Sequence, residues 1–87
     1  MEAAGVCVYL KFGTVTDQQR AALLERLAES LSVNMTLSER SGHRCVWYEG
    51  PSDDAASSAV QLRLNAICEE LGIPKDQVTT TLDPNRL

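Results

Sequence analysis

The sequence predicts an α+β sandwich in which two helices cover one face of a four-stranded antiparallel sheet. Two observations predict this architecture: apolar residues alternate with a period of two in four short segments, and they recur at helical spacing in two longer segments. The third observation is size, since 87 residues with 44% hydrophobic and 23% charged side chains are typical of one globular domain. We expect a single domain over residues 1–87, with its core at about 5–82 and a short polar tail at 83–87.

Between the first predicted strand and the first predicted helix, the spacing of the apolar residues changes from alternation to helical spacing. Every second side chain is apolar in residues 6–12, which predicts a strand. Gly13 and Thr14 interrupt the alternation, and Thr16 with Gln19 forms a capping box that begins a helix. The apolar face predicted for this helix consists of Leu24, Leu27, Ala28 and Leu31.

A hairpin, a second helix and a last strand follow. Alternation over 33–38 and 44–49 predicts two strands, and Gly42 between them can adopt the positive φ of a tight turn. Gly50 and Pro51 end the second of these strands, and residues 78–82 form the last strand of the chain. The second helix has Ser52 as its predicted N-cap, Gly72 at its end, and an apolar face of Ala56, Val60, Leu64, Ile67 and Leu71.

The element order β-α-β-β-α-β is that of the ferredoxin-like fold. Right-handed crossovers place both helices on one face of the sheet, and the expected strand order is 4-1-3-2. The other face is left uncovered, which makes it the natural place for a binding function. The side chains expected to face the helices are Val6, Val8, Leu10, Phe12, Val33, Met35, Leu37, Val78, Thr80 and Leu82.

The uncovered face is expected to hold aromatic and basic side chains at its centre. Two registers are open for the third strand. We favour the register in which Cys45 and Trp47 face the helices, because Arg44 has no evident buried partner and an unpaired buried charge is costly. The predicted contact face is then Tyr9, Lys11, Arg44, Val46 and Tyr48. In the alternative register, the residues that join Tyr9 are His43, Cys45 and Trp47.

Composition restricts the classes of partner and the cellular setting. Twelve acidic and eight basic side chains give a net charge of -4, which repels nucleic acid and anionic membranes at long range. The N-terminal segment has no basic region before its short apolar run, and Lys11 interrupts that run, so we expect a cytoplasmic protein with no membrane association. The three cysteines are an odd and sparse set, which predicts free thiols.

No catalytic residue, metal ion or cofactor is predicted. His43 and Cys45 lie close in sequence, but no third group that would orient them can be named. With Cys7 they would provide three metal ligands in the alternative register, without a fourth and without the paired spacing of zinc motifs. We therefore expect a protein that is not an enzyme.

Two segments resemble the RNA recognition motif family. Residues 8–13, VYLKFG, resemble its first-strand hexamer, with Tyr9 at the aromatic position. Residues 41–48, SGHRCVWY, are similar to its third-strand octamer at Gly42, Val46 and Tyr48. The resemblance implies binding of single-stranded RNA on the sheet, where the family's two stacking positions in the octamer correspond to His43 and Cys45.

A second resemblance is to the ACT domain family, which senses small ligands. The segment 14–33, a leucine-rich helix running into Val33, resembles the corresponding part of that family and implies an amino-acid ligand near the start of the helix. From the residues themselves, we expect a regulatory or inhibitory adaptor that binds a protein partner of unknown identity, or its own copy as a homodimer. RNA and small-ligand binding are the alternatives.

Overall fold

Four strands and two helices follow one another in the predicted order in a computed structural model, which describes residues 5–50 and 52–87. The predicted break at Pro51 and the beginning of the N-terminal segment, residues 1–4, lie outside the described residues. Two short 3-10 turns cover Lys75–Gln77 and Pro84–Arg86. The regular elements are β1 (Val6–Phe12), α1 (Asp17–Ser30), β2 (Met35–Arg40), β3 (His43–Tyr48), α2 (Asp53–Leu71) and β4 (Val78–Thr81).

The sheet has the strand order β2-β3-β1-β4, and each of its three pairings is antiparallel. This order is the predicted 4-1-3-2 arrangement read from the opposite edge. Both helices contribute side chains to the same apolar core as β1 and β3, so they lie on one face of the sheet. The predicted ferredoxin-like α+β fold is confirmed.

The ends of the helices are fixed by the residues that the sequence singles out. The Thr16 hydroxyl accepts the N–H of Gln19, whose side chain in turn accepts the N–H of Thr16, at 3.1 and 3.0 Å. The Ser52 hydroxyl accepts the N–H of Ala55 at 3.1 Å, and Gly72 ends α2 in the left-handed conformation with φ 72°. Arg63 of α2 caps the C-terminal end of α1. Its guanidinium donates to the Ser30 carbonyl and to the Ser32 hydroxyl.

The core lies between the helices and one face of the sheet. The apolar face of α2 is buried as predicted from Ala56 to Ile67, and the next buried side chain is Cys68. The face of α1 is rotated from the prediction: Leu23 and Leu27 are fully buried, whereas Ala28 is exposed. Since α1 packs against α2 as well as the sheet, its buried stripe follows the line between the two neighbours.

Two residues predicted to face the helices lie outside the strands. Val33 is fully exposed in a turn that the Met35 N–H closes by donating to the Ser32 carbonyl at 3.0 Å, so β2 begins two residues later than expected. Leu82 follows the end of β4 and is 38% exposed. The Asp83 N–H donates to the Thr81 hydroxyl at 3.1 Å, which bends the chain away from the sheet at this point.

Candidate binding site on the open face of the sheet

The register of the site is set by the hairpin turn between β2 and β3. Ser41 and Gly42 both have positive φ, 53° and 78°, which is the backbone of a two-residue type I′ turn. Arg40 and His43 are therefore opposed directly beside the turn, and the pairing continues along the hairpin to Met35 and Tyr48.

The pairing of β3 with β1 decides which face each side chain occupies. Val8 lies opposite Val46 and Val6 lies opposite Tyr48, and residues directly opposed in a sheet share a face. Val46 is fully buried in the core and Tyr48 packs against that core, so both face the helices. The favoured prediction, in which Cys45 and Trp47 face the helices, is wrong. The alternative register is the one that the structure has.

Arg44 explains the error. It faces the helix side, opposite Glu39, as the true register requires. Both side chains are nevertheless exposed, because the tip of the hairpin extends past the helices into solvent. The charge of Arg44 is solvated at this position and needs no buried partner.

The open face, as we use the term, is the set of strand side chains that point away from the helices. Of the predicted contact residues, Tyr9 and Lys11 belong to it, whereas Arg44, Val46 and Tyr48 do not. The complete set in the four strands is Cys7, Tyr9, Lys11, Thr36, Ser38, Arg40, His43, Cys45, Trp47, Thr79 and Thr81.

The half-buried indole of Trp47 is held from two sides. The guanidinium carbon of Arg40 lies 5.3 Å from the centre of the indole ring, within the range of a cation–π contact. The indole N–H donates to a carboxylate oxygen of Glu49 at 3.4 Å. Arg40 therefore folds back from the tip of the hairpin over the middle of the open face.

The centre of the open face is closed to solvent although no helix covers it. Cys45 is fully buried and Tyr9 is 8% exposed. Burial raises the pKa of the Cys45 thiol to about 11, with contributions from the charge and hydrogen bond of Cys7, while Arg40 and a hydrogen bond with Ser38 act in the opposite direction. All three cysteines are free thiols.

A pocket of about 210 Å³ lies at the end of the sheet where β1 finishes. Arg20 of α1 borders it with its guanidinium carbon 4.7 Å from the centre of the Phe12 ring. Among the described residues, Lys11 and Arg20 form no salt bridge, so these two cations at the pocket are free to meet an anion. The pocket is lined by Leu10, Lys11, Phe12, Arg20, His43 and Leu87.

Sequence reasoning gave no role to Arg20 and only a marginal one to Arg40. The alternation of β2 could have placed Arg40 on the open face. Arg40 lies two residues after Ser38 and four after Thr36, and both of these were expected on the uncovered face. Arg20 carries no such signal, since its position depends on how the start of α1 packs beside the end of β1.

Within residues 5–50 and 52–87, no three histidine, cysteine or acidic side chains are grouped so that they could hold a metal ion. In the same part of the chain, neither helix has the length and apolar character needed to span a bilayer. Comparisons of the chain with models of protein families, with curated proteins and with solved structures gave no match.

Proposed function

We propose that this protein is a non-enzymatic binding module whose open face holds an acidic segment of a protein partner. The observation that supports this most strongly is an inversion of charge. The chain has a net charge of -4, yet Lys11 and Arg40, the charged side chains of the listed open face, are both basic. Glu49 follows β3, and its carboxylate accepts the indole N–H of Trp47. An acidic partner is attracted to such a face and oriented by it.

Self-association through this face is disfavoured by the same charges. Two open faces brought together would place Lys11 and Arg40 of one copy close to the same residues of the other. Like charges across an interface are unfavourable, and within the described residues neither Lys11 nor Arg40 forms a salt bridge that would offset the repulsion. The face therefore fits a different protein better than a second copy.

The contact chemistry combines an aromatic anchor with cations at its border. Trp47 and Arg40, stacked on each other, are the residue types that most often carry binding energy at protein interfaces. The pocket near Lys11 and His43 offers room for one carboxylate side chain beside apolar walls. By covering an acidic segment, the protein would mask that part of its partner, which is the action of a regulatory or inhibitory adaptor.

RNA is the second candidate, since Tyr9, His43 and Cys45 all lie on the open face, where the resemblance to the RNA recognition motif would put its stacking residues. Their exposure favours a protein partner instead. Tyr9 is nearly buried and Cys45 is fully buried, so neither presents a surface on which a base could stack. Of the three, only His43 is exposed.

The test is an NMR titration of the isotope-labelled chain with a synthetic glutamate-rich peptide that contains leucines, and in parallel with a short single-stranded RNA. We expect the peptide to shift the resonances of Lys11, Arg40 and His43 and the indole N–H of Trp47, with weaker binding as salt is added. Shifts confined to the helices, or binding of RNA without binding of peptide, would contradict the proposal.

Arg40 and Arg44 provide a matched pair of variants. Both are exposed near the tip of the same hairpin, but they point to opposite faces. Arg40→Gln should weaken peptide binding by about two- to fivefold, the effect of losing one surface charge pair, whereas Arg44→Gln removes the same charge and should change the affinity little. Equal effects of the two substitutions would show that net charge, and not the open face, determines binding.

A further inference from the structure

The outer edge of β4 is a surface separate from the open face. The Gly13 N–H donates to the Gln77 carbonyl at 2.7 Å. This bond shows which residues of β1 and β4 form the hydrogen-bonded pairs of the ladder. In an antiparallel pair, the backbone groups of alternate residues point toward the partner strand. Thr79 and Thr81 therefore point toward β1, while Val78 and Thr80 point outward from the sheet.

Only part of this edge is already hydrogen-bonded. The Val78 N–H donates to the Lys75 carbonyl, and the Val78 carbonyl accepts the Gln61 side-chain amide at 3.4 Å. Gln61 also accepts the Thr80 hydroxyl at 3.2 Å, so it holds β4 against α2. Because Leu10 and Thr80 are a non-hydrogen-bonded pair of the ladder, the backbone N–H and carbonyl of Thr80 have no partner in β1, and no turn or side-chain hydrogen bond of residues 5–50 and 52–87 involves them.

The two edges of the sheet differ in charge. β2, at the other edge, carries Glu39 and Arg40, and charged side chains discourage pairing at a free edge. The sequence of β4 is Val-Thr-Thr-Thr, without a charge or a proline. β4 is thus a short strand whose edge is open to pairing.

An uncharged groove with an exposed leucine runs beside this edge on the helix side. Its volume is about 500 Å³. Leu62 of α2 is 69% exposed, and Leu82, which is 38% exposed, follows Thr80 by two residues. Large exposed apolar side chains next to an unpaired strand edge indicate a surface that is covered in use. The groove is lined by Ser57, Ser58, Gln61, Leu62 and Thr80.

We propose that β4 pairs with β4 of a second copy of this chain, antiparallel and related by a two-fold axis at Thr80. The N–H of each Thr80 would donate to the carbonyl of the other, which satisfies both unpaired groups of each copy. Leu62 of each copy would be covered by the other, and the two sheets would join into one.

A second copy fits this edge for a reason of charge. Two chains of net charge -4 repel each other over most of their surfaces. The groove residues are all uncharged, so the copies meet there without opposing like charges. The open faces of both copies stay accessible, and this dimer does not depend on the function proposed for the open face.

Sedimentation velocity over a concentration series tests the dimer with a matched pair of variants. Leu62→Lys should weaken dimerisation roughly tenfold or more, because it removes buried apolar area and opposes like charges across the axis. Val33→Lys is the control, because Val33 is also an exposed apolar residue but lies in the turn before β2. It should leave dimerisation as in the unmodified chain.

Hydrogen exchange at single amides tests the pairing itself. Exchange of the Thr80 amide should slow as the protein concentration rises, while the Thr79 amide, which points toward β1, should show no such dependence. A chain that remains monomeric at NMR concentrations, a dimer indifferent to Leu62→Lys, or Thr80 exchange independent of concentration would each overturn the proposal. A dimer that is lost in Arg40→Gln would move the contact to the open face.

Discussion

The helix-covered face and the open face meet in β3, where Val46 and Cys45 are consecutive, point in opposite directions and are both fully buried. Behind Val46 the water is excluded by apolar side chains of two helices. Around Cys45 the surroundings include another thiol, the Ser38 hydroxyl and the guanidinium of Arg40. Equal burial thus has two origins. The first is a core covered by two helices, and the second is a surface shielded by side chains of the strands themselves, among them Arg40.

The strongest way to break this comparison is to place a polar group at each of the two positions. Val46→Asp should unfold the domain, because an unpaired carboxylate in the core costs several kcal/mol against a total stability of about 5–15 kcal/mol. Cys45→Ser should cost only about 1 kcal/mol, because the Ser38 hydroxyl lies directly across the strand pair as a partner for the new hydroxyl. Urea titration followed by circular dichroism measures both. A folded Val46→Asp variant would show that the helices do not seal this face.

Truncating one side chain that shields each face should give a smaller difference in the free energy of unfolding. Leu64, fully buried in α2, covers one face, and Arg40 covers the other. Leu64→Ala should reduce the free energy of unfolding by about 2–5 kcal/mol through lost burial and a cavity. Arg40→Ala should reduce it by about 0.5–1 kcal/mol, the worth of an exposed cation–π contact. Losses of equal size in thermal unfolding would mean that the open face is as firmly closed as the core.

Alkaline pH tests both faces together, since each buries one thiol. The pKa of Cys45 is raised from 9.0 to about 11, first by burial, and burial also raises the pKa of Cys68 in α2. A raised pKa means that the folded state holds its proton longer than the unfolded state. The stability from these protonated thiols is complete below pH 9 and is lost as the pH rises toward 11.

The measurement is the urea midpoint at pH 8 and at pH 11, in the unmodified chain and in a variant with Cys45→Ala and Cys68→Ala. We expect the midpoint of the double variant to fall less over this interval, because it has lost both thiols. In the Cys7→Ala variant the decrease should lie between the other two, because Cys7 contributes to raising the pKa of Cys45. Identical decreases in all three proteins would refute the contribution of the buried thiols.

The smallest expected effect concerns the turn that assigns residues to the two faces. Ser41 has φ 53°, a conformation that costs most residues energy and that asparagine adopts more easily. Ser41→Asn should therefore stabilise the domain by a few tenths of a kcal/mol without altering the cross-strand contacts of Trp47. An increase in the thermal midpoint, with unchanged NMR contacts between Thr36 and Trp47, would show this. A decrease would mean that the serine makes a contribution of its own.

Local signals were sufficient to predict the fold. The capping box at Thr16, the Gly72 helix end and the exact span of β1 each depend on neighbouring residues, and each is confirmed. Val33 was misplaced because a turn two residues long cannot be distinguished from strand alternation in Val-Asn-Met. The strand order followed from the β-α-β-β-α-β element order, and the handedness of the crossovers placed both helices on one face.

The composition of the candidate site could be predicted only in part. Both registers of β3 place an apolar or aromatic residue on either face, so alternation cannot choose between Trp47 and Tyr48. The choice depends on where the helices end relative to Arg44, which is a property of the packed structure. Arg20 was missed for the same reason, because its contact with Phe12 joins two elements.

The length of the two-residue turn at Ser41 and Gly42 determines which alternate residues of β3 lie on the open face. If one residue were inserted there while β2 stayed in place, β3 would have to shift its pairing, and Tyr48 would exchange sides with Trp47. Two inserted residues would restore the original assignment. Length variation at this hairpin should therefore be tolerated in steps of two, and a natural variant with an odd change would present a different binding surface on the same fold.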